Sequence, residues 1–151
     1  MKTYGDIHED LKSAMKAGDA ARRDTLRMLE SALKNEAIEL RREVADLSGE
    51  EIAAVLRRLV KQRREAAAEY CAAGREELAA KEDSERGMLE AYLPAALPDD
   101  ELRAIVAEAK AETGASSKAD FGRLMGAAVK KAAGRADGNA IKGFVEEALA
   151  E

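Results

Sequence analysis

The sequence predicts an all-α protein, because apolar residues recur at steps of three and four and no segment alternates at the two-residue period of a strand. Glycines and helix-capping residues divide these 151 residues into successive helical stretches. We therefore expect an N-terminal helical domain with long antiparallel helices, followed by a small C-terminal three-helix bundle.

Three helices can be placed at the start of the chain. The first is predicted over residues 3–16 and the second over residues 20–43. The third is expected to open with the capping box of Ser48 and Glu51 and to end at Gly74. The second and third should then pair antiparallel. The apolar stripe of the second helix consists of Leu26, Leu29, Leu33, Ala37, Leu40 and Val44.

The only two prolines of the chain, Pro94 and Pro98, stand in the segment YLPAALP. The residue before a proline avoids the α region, so the preceding helix should end before Pro94. Two prolines in five residues also favour a stiff connector. These features predict two domains, 1–93 and 94–151.

The C-terminal domain is predicted to hold three short helices. About 55 residues give only marginal independent stability, so we expect this domain to lean on the first domain or on a partner. The predicted helix starts are Pro98, Ser117 and Asp137, and the glycines predicted to end the first two helices are Gly114 and Gly134.

Composition excludes several classes of function. Charged residues make up 36% of the chain but the net charge is only −5, which disfavours binding of nucleic acid by bulk charge. With Cys71 as the one cysteine and His8 as the one histidine, neither a disulfide framework nor a metal site is expected, and no cofactor is indicated. A reducing, cytoplasmic location follows, and neither secretion nor a membrane span is indicated.

Catalytic groups are hard to assemble from this sequence. The segment GASSK resembles serine and lysine chemistry, but helix capping accounts for Ser116 and Ser117 at a predicted helix start. We expect Cys71 to be a small helix-packing residue and His8 to lie on the surface. No catalytic residue is therefore predicted, and whether the chain is an enzyme stays open.

A basic segment covers residues 118–142, with six cations against Asp120 and Asp137 and a local charge of +4. Its glycines favour close approach of a ligand or another backbone, and the helix start after Gly134 offers N–H groups to phosphate oxygens. The alternative is a tightly packed bundle with a solvated basic rim. The cations are Lys118, Arg123, Lys130, Lys131, Arg135 and Lys142, and the glycines are Gly122, Gly126, Gly134, Gly138 and Gly143.

A second basic face is predicted on the third helix. Arg57, Lys61 and Arg64 are spaced i, i+4 and i+7, so they share one side of that helix, with Arg58 and Arg63 nearby. Ligand contact is one interpretation. The other is a solvated stripe whose arginines pair with acids on the second or fourth helix.

Four separated motifs resemble the YqeY family of GatB/YqeY-domain proteins. They are TLRMLESALKNEAIE at 25–39, VKQRRE at 60–65, EAYLP at 90–94 and TGASSKADFGRLMGAAVKKAAGRADG at 113–138. The resemblance covers essentially the whole chain. It implies an all-helical fold whose C-terminal domain is similar to the tail of the GatB polypeptide of the aspartyl/glutamyl-tRNA amidotransferase.

In that enzyme the tail contacts tRNA away from the chemistry, so the resemblance implies tRNA as a partner. It also implies association with a tRNA amidotransferase or an aminoacyl-tRNA synthetase. The family label is carbon–nitrogen ligase with glutamine as amido-N-donor. The residues expected to bind RNA are Arg123, Lys130, Lys131, Arg135, Asp137, Gly138 and Lys142.

Three functions remain open from the sequence. The first is an accessory module that binds tRNA or a tRNA enzyme. The second is a catalytic part in tRNA-dependent transamidation. The third is a protein–protein adaptor that uses the long amphipathic second and third helices.

Overall fold

The computed structural model describes residues 1–150, which form two compact units, Met1–Leu93 and a second unit that begins at Pro94. The described residues are helical and contain no strand, which confirms the all-α prediction. The helices are α1 Tyr4–Ala17, α2 Ala20–Glu39, α3 Gly49–Ala72 and α4 Glu76–Glu90 in the first unit, and α5 Asp99–Thr113, α6 Phe121–Ala132 and α7 Gly138–Ala150 in the second.

Two helices of the first unit, α1 and α3, begin with reciprocal side-chain caps. At the start of α3, the Ser48 N–H donates to Glu51 Oε2 over 2.8 Å, and the Glu51 N–H donates to Ser48 Oγ over 3.2 Å. The bond from the Ser48 backbone lowers the pKa of Glu51, with a further contribution from Arg42. The predicted capping box is confirmed, and Thr3 with Asp6 forms another at α1.

Helix α2 ends at Glu39, four residues before the predicted end. Arg41 adopts a left-handed φ of 54°, which breaks the helix, and Leu40 is 41% exposed. The chain then turns through a 3-10 segment that contains Val44 and buries Leu47 in the core. The prediction was wrong here because Leu40 and Val44 fit the helical step by position alone.

Helix α4 begins at Glu76, inside a stretch whose charge pattern gave no apolar stripe. Only Ala79 and Leu89 of α4 are buried, which explains why its start was missed. A short turn with Gly74 at φ 72° joins α3 to α4, so the two helices run antiparallel. Helix α3 therefore packs mainly against α4, not against α2 as predicted.

One arginine ties this helix pair together. Arg63 on α3 lies 3.2 Å from Glu82 and 3.3 Å from Glu85, both on α4, and its guanidinium also contacts the Met28 sulfur on α2. The three ionic side chains are between 14% and 24% exposed, so their attraction is only partly screened by water.

The second unit is a bundle of α5, α6 and α7 around its own apolar core. Helix α5 ends at Gly114 with φ 67°, as predicted. After α6, two successive residues adopt left-handed backbone, Ala133 at φ 49° and Gly134 at φ 76°. The most deeply buried side chains of this core are Leu102, Val106, Ala109, Leu124, Ala128, Ala132, Ile141 and Val145.

Replacing Arg63 with alanine should lower the free energy of unfolding by about 1–2 kcal/mol, because two partly buried carboxylates lose their shared partner. Urea denaturation followed by circular dichroism measures this change. Lys61→Ala is the matched control, since Lys61 is 69% exposed and lies 4.0 Å from Glu65. A loss of equal size in both variants would contradict the role given to Arg63.

Candidate nucleic-acid interface

Two cations of the basic segment stay available on the surface. Lys130 lies in the last turn of α6 and Lys118 in the 3-10 turn Lys118–Asp120, and both side chains are exposed. Within residues 1–150, neither has an acidic partner within ion-pair distance. As far as residues 1–150 are concerned, an external anion could bind either lysine without displacing an ion-pair partner.

Arg123 is held by the cap that opens the following helix. Its guanidinium lies 2.7 Å from Asp120, which accepts the N–H groups of Ser116 and Ser117 over 2.9 and 3.2 Å. These backbone bonds, Ser116 first, lower the pKa of Asp120. The interpretation of the two serines as capping residues is confirmed, and Arg123 completes the cap.

Lys131 joins α6 to α5. Its ammonium lies 2.8 Å from Glu112 and 3.5 Å from Glu108, and the side chain is 27% exposed. The bond to Glu112 raises the pKa of Lys131 against the opposing effect of burial. This cation stabilises the bundle.

Arg135 holds the segment that leads into α5. Its Nε donates to the Ala95 carbonyl over 3.2 Å, and its own carbonyl accepts the Leu97 N–H over 2.9 Å. The guanidinium also lies 3.8 Å from Glu101 in the first turn of α5. Arg135 is thus engaged at three points inside the second unit.

The start of α7 carries its own anion. Asp137 Oδ1 accepts the Asn139 N–H over 3.0 Å, and the Asp137 carbonyl accepts the Ile141 N–H over 3.0 Å. Gly138, the first residue of α7, is exposed. At least one N–H group that was expected to face phosphate is therefore occupied by Asp137, as in an ordinary helix cap. Lys142, farther along α7, lies 3.8 Å from Glu146.

Acids from α5 and α7 reduce the local charge that the sequence suggested. Residues 94–151 contain eight Lys and Arg residues against ten Asp and Glu residues, a net charge of −2. Counting within residues 118–142 missed these partners because they come from other parts of the chain. The candidate interface therefore consists of a few cations on a unit whose net charge is negative.

The glycines of α6 face open space. A β-carbon added at Gly122 or Gly126 would meet nothing within 4 Å apart from their immediate chain surroundings, so the expected close approach of another backbone does not occur there. Both glycines are exposed, as is Val129 at 40%. Their spacing of four and three residues places all three on one side of α6. This side, the glycine face of α6, has no side chain larger than valine.

The second basic face is partly structural. Arg58 lies 3.4 Å from Glu36 on α2, and Arg63 contacts α4 as described above. These pairs match the alternative in which arginines of α3 bind neighbouring acids. Of the three residues proposed for ligand contact, Arg57 is half-buried, Lys61 is 4.0 Å from Glu65, and Arg64 is exposed.

Two other side chains lie where the sequence did not place them. Cys71 is exposed near the end of α3, so its assignment as a helix-packing residue was wrong. His8, expected on the surface, is half-exposed and its Nδ1 contacts Glu30, a carboxylate only 7% exposed. Burial raises the pKa of Glu30, but the bonds to His8 and Lys34 outweigh it and lower that pKa overall. The sequence did not predict this contact, because His8 and Glu30 are 22 residues apart and lie on different helices, whereas helical periodicity relates only residues of one helix.

Other kinds of site are not formed by residues 1–150. No group of three or more His, Cys, Asp or Glu side chains there is arranged to hold a metal ion. No helix in that range is both long enough and apolar enough to cross a membrane.

Comparison with known proteins assigns the family. A sequence model of the family described as Yqey-like protein matches residues 5–149. The chain belongs to the Yqey-like protein family. The resemblance drawn from the four sequence motifs is thereby confirmed.

Two curated relatives are both named "Altered inheritance of mitochondria protein 41, mitochondrial". The protein of Eremothecium gossypii is 34% identical over 105 residues, which cover 70% of this Yqey-like chain and 56% of the relative. The protein of Vanderwaltozyma polyspora is 32% identical over 89 residues, which cover 58% of this chain and 46% of the relative. This chain thus spans about half the length of the curated relatives it matches.

The expected cytoplasmic location is contradicted by these relatives, both of which are named as mitochondrial proteins. The inference rested on a single cysteine, Cys71. A low cysteine count indicates a reducing environment for the thiol, but it does not distinguish one reducing compartment from another.

Titration of Asp120 tests the cap at the edge of this interface. Its carboxylate should keep a pKa below the ordinary 3.8, because protonation breaks bonds to two backbone N–H groups. The stabilisation is present above pH 3.8 and is lost as the pH falls through the lower folded-state pKa. Carboxyl carbon chemical shifts measured by NMR from about pH 2 to about pH 6 bracket that loss.

Ser117→Pro provides the comparison. Proline has no N–H to donate, and its fixed φ cannot reach the −143° of Ser117, so the variant removes both the bond and the local geometry of the cap and should move the pKa of Asp120 upward. Asp6, whose pKa is lowered by the Thr3 N–H at the start of α1, is the internal reference that this substitution should leave unchanged. An unshifted Asp120 in the proline variant would contradict the assigned cause.

Proposed function

We propose that this Yqey-like protein is an accessory module whose C-terminal unit binds the phosphate backbone of tRNA, and that it carries no catalytic site of its own. The observation that carries the proposal is Lys130, an exposed cation in the last turn of α6 without an acidic partner among residues 1–150. Further support comes from residues 113–138, which resemble the tRNA-contacting tail of the amidotransferase.

The shape of α6 suits a nucleic-acid backbone. Gly122 and Gly126 leave the helix backbone uncovered on the glycine face, and Val129 adds only a small apolar surface. A sugar–phosphate chain can therefore approach the helix closely, with Lys130 beside it at one end and Lys118 before the other end of α6. The length of α6 separates the two lysines by about 18 Å, which is several nucleotides of backbone.

Contacts of this type position an RNA without reading its bases. Lysine ammonium groups bind phosphate as point charges, and phosphate contacts carry no direct sequence information. With few free cations on a unit of net charge −2, binding should respond to shape and salt more than to sequence. Recognition of one particular tRNA would come from the partner enzyme.

The proposal leaves transamidation chemistry to that partner. Ser116 and Ser117 donate backbone N–H groups to Asp120 at a helix start, which is a capping arrangement. His8 is paired with Glu30 in the first unit. Amidated aminoacyl-tRNA made by the purified protein from misacylated tRNA, ATP and glutamine would overturn this part of the proposal.

Changing Lys118 and Lys130 together to glutamate should weaken tRNA binding by about tenfold or more, because two phosphate contacts become repulsive. Fluorescence anisotropy with labelled tRNA at several salt concentrations measures the effect. The two lysines should together contribute about −2 to the wild-type slope of log affinity against log salt, so the slope of the variant should be shallower by about that amount.

The matched control is Lys12→Glu with Lys16→Glu, which makes the same charge change on exposed lysines of α1. This control should keep most of the wild-type affinity and its salt slope. An equal loss in both double variants would show that net charge alone governs binding. Binding that does not change with salt concentration would contradict the proposed phosphate contacts.

An adaptor role is the second candidate, and one surface feature favours it. Ile38 is 72% exposed and Leu40 is 41% exposed, and they stand two residues apart in the chain where α2 ends. Replacing both with serine should abolish capture of protein partners from nuclease-treated lysate, because an apolar contact is lost while no charge changes. Leu78→Ser, at a side chain 37% exposed, is the control. Capture unaffected by the Ile38 and Leu40 changes would reject this surface.

A further inference from the structure

Residues 94–98, the first residues of the second unit, lie outside the helices, and we call this segment the strap. Leu97 anchors its end, with a side chain only 9% exposed in the core of the unit. Arg135 makes two hydrogen bonds to the strap, since its carbonyl accepts the Leu97 N–H and its Nε–H donates to the Ala95 carbonyl. The Pro98 carbonyl also accepts the Leu102 N–H of α5 over 2.9 Å.

Arg135 sits in a tight turn between α6 and α7. Ala133 and Gly134 are both left-handed, and the Arg135 N–H donates to the Ala132 carbonyl over 2.9 Å. Left-handed backbone at alanine costs about 1 kcal/mol, so the surrounding contacts hold the turn in place. The turn aims the Arg135 carbonyl at Leu97, while the guanidinium reaches Ala95 and Glu101.

The outer contact of Arg135 is a weak one. Its guanidinium lies 3.8 Å from the Glu101 carboxylate, and the two side chains are 44% and 55% exposed. An exposed pair at this distance contributes little, whereas a phosphate can accept two parallel N–H bonds from one guanidinium. A phosphate that reached the Arg135 guanidinium would compete with Glu101 and Ala95 for its N–H groups. Lys130 stands five residues earlier in the chain.

We propose that the Arg135 guanidinium is a latch: it holds the Ala95 carbonyl of the strap in the free protein and transfers to phosphate when RNA binds. Ala95 is then released, and the strap keeps only its backbone bonds at Leu97 and Pro98. This inference rests on the proposed RNA binding. It assigns Arg135 a role different from that of Lys130, since Lys130 gives up no acidic partner among residues 1–150 on binding. The strap therefore gains freedom only in the bound state.

Hydrogen exchange at the Leu97 amide, resolved by NMR on the whole chain, tests the latch. Saturating tRNA should speed exchange at Leu97 by about three- to tenfold, because the strap opens more readily once the Ala95 carbonyl has lost its bond to the Arg135 side chain. Amides inside α5 should keep their rates. Arg135→Lys keeps the charge but lacks the Nε donor to Ala95. This variant should exchange faster at Leu97 without RNA and should change little when RNA is added.

A substitution that removes Glu101, the acidic partner of Arg135, should increase the affinity for tRNA. Glu101→Gln should tighten tRNA binding about threefold, because Arg135 is freed from its acidic partner. Glu147→Gln is the matched control: Glu147 lies 3.6 Å from Arg103 in the same unit and is 53% exposed, so one similar surface pair and one charge are removed. The control should change affinity by less than half as much.

The outcomes separate the two proposals. Binding of tRNA without faster exchange at Leu97, or equal tightening by both glutamine variants, overturns the latch and leaves RNA binding standing. Failure of the wild-type chain to bind tRNA overturns both. Slower exchange at Leu97 on binding would show that Arg135 tightens the strap and would reject the release mechanism.

Discussion

The cores of this protein are packed from aliphatic side chains, many of them small, because few aromatic side chains are present. Aromatic residues make up only 3% of the chain, and in the second unit three alanines, Ala109, Ala128 and Ala132, are among the most deeply buried residues. Alanines let helices approach closely but bury little apolar surface each. Helix ends and helix pairs are therefore also fixed by other means. Capping boxes stand at the starts of α1 and α3 and at the turn before α6, and ion pairs join α3 to α4 and α6 to α5.

Because these cores bury little apolar surface, several cations serve to hold parts of the bundles together. Arg63 joins α3 to α4, Lys131 joins α6 to α5, and Arg135 secures the strap. Each is a basic residue that a charge count would assign to a binding surface. Because the bundle uses them internally, the surface left for a ligand is smaller than the sequence suggests. The same use makes Arg135 responsive, since its partners can be displaced by a stronger anion.

Local signals in the sequence predicted much of this fold. The cap of Ser48 with Glu51 and the helix stop at Gly114 depend on neighbouring residues, so they could be read directly. The end of α2 and the start of α4 could not. Leu40 continues an apolar spacing beyond the point where Arg41 turns the backbone, and α4 buries too few side chains to show a stripe. The candidate site was harder still, because whether each cation of residues 118–142 is free depends on acids distant in sequence, such as Glu112.

Lys118 and Lys130 have no acidic partner among residues 1–150, and they lie on an acidic unit, which suits a particular kind of binding. Each phosphate neutralised adds close to one unit to the salt dependence, so two or three contacts give a much weaker dependence than proteins that make about six to ten. Nonspecific affinity from such a surface is low, and an autonomous RNA binder would need more cations. A module that adds a few contacts to a larger assembly does not, because linked sites multiply their effects. The sparse free charge thus favours an accessory role over independent capture of RNA.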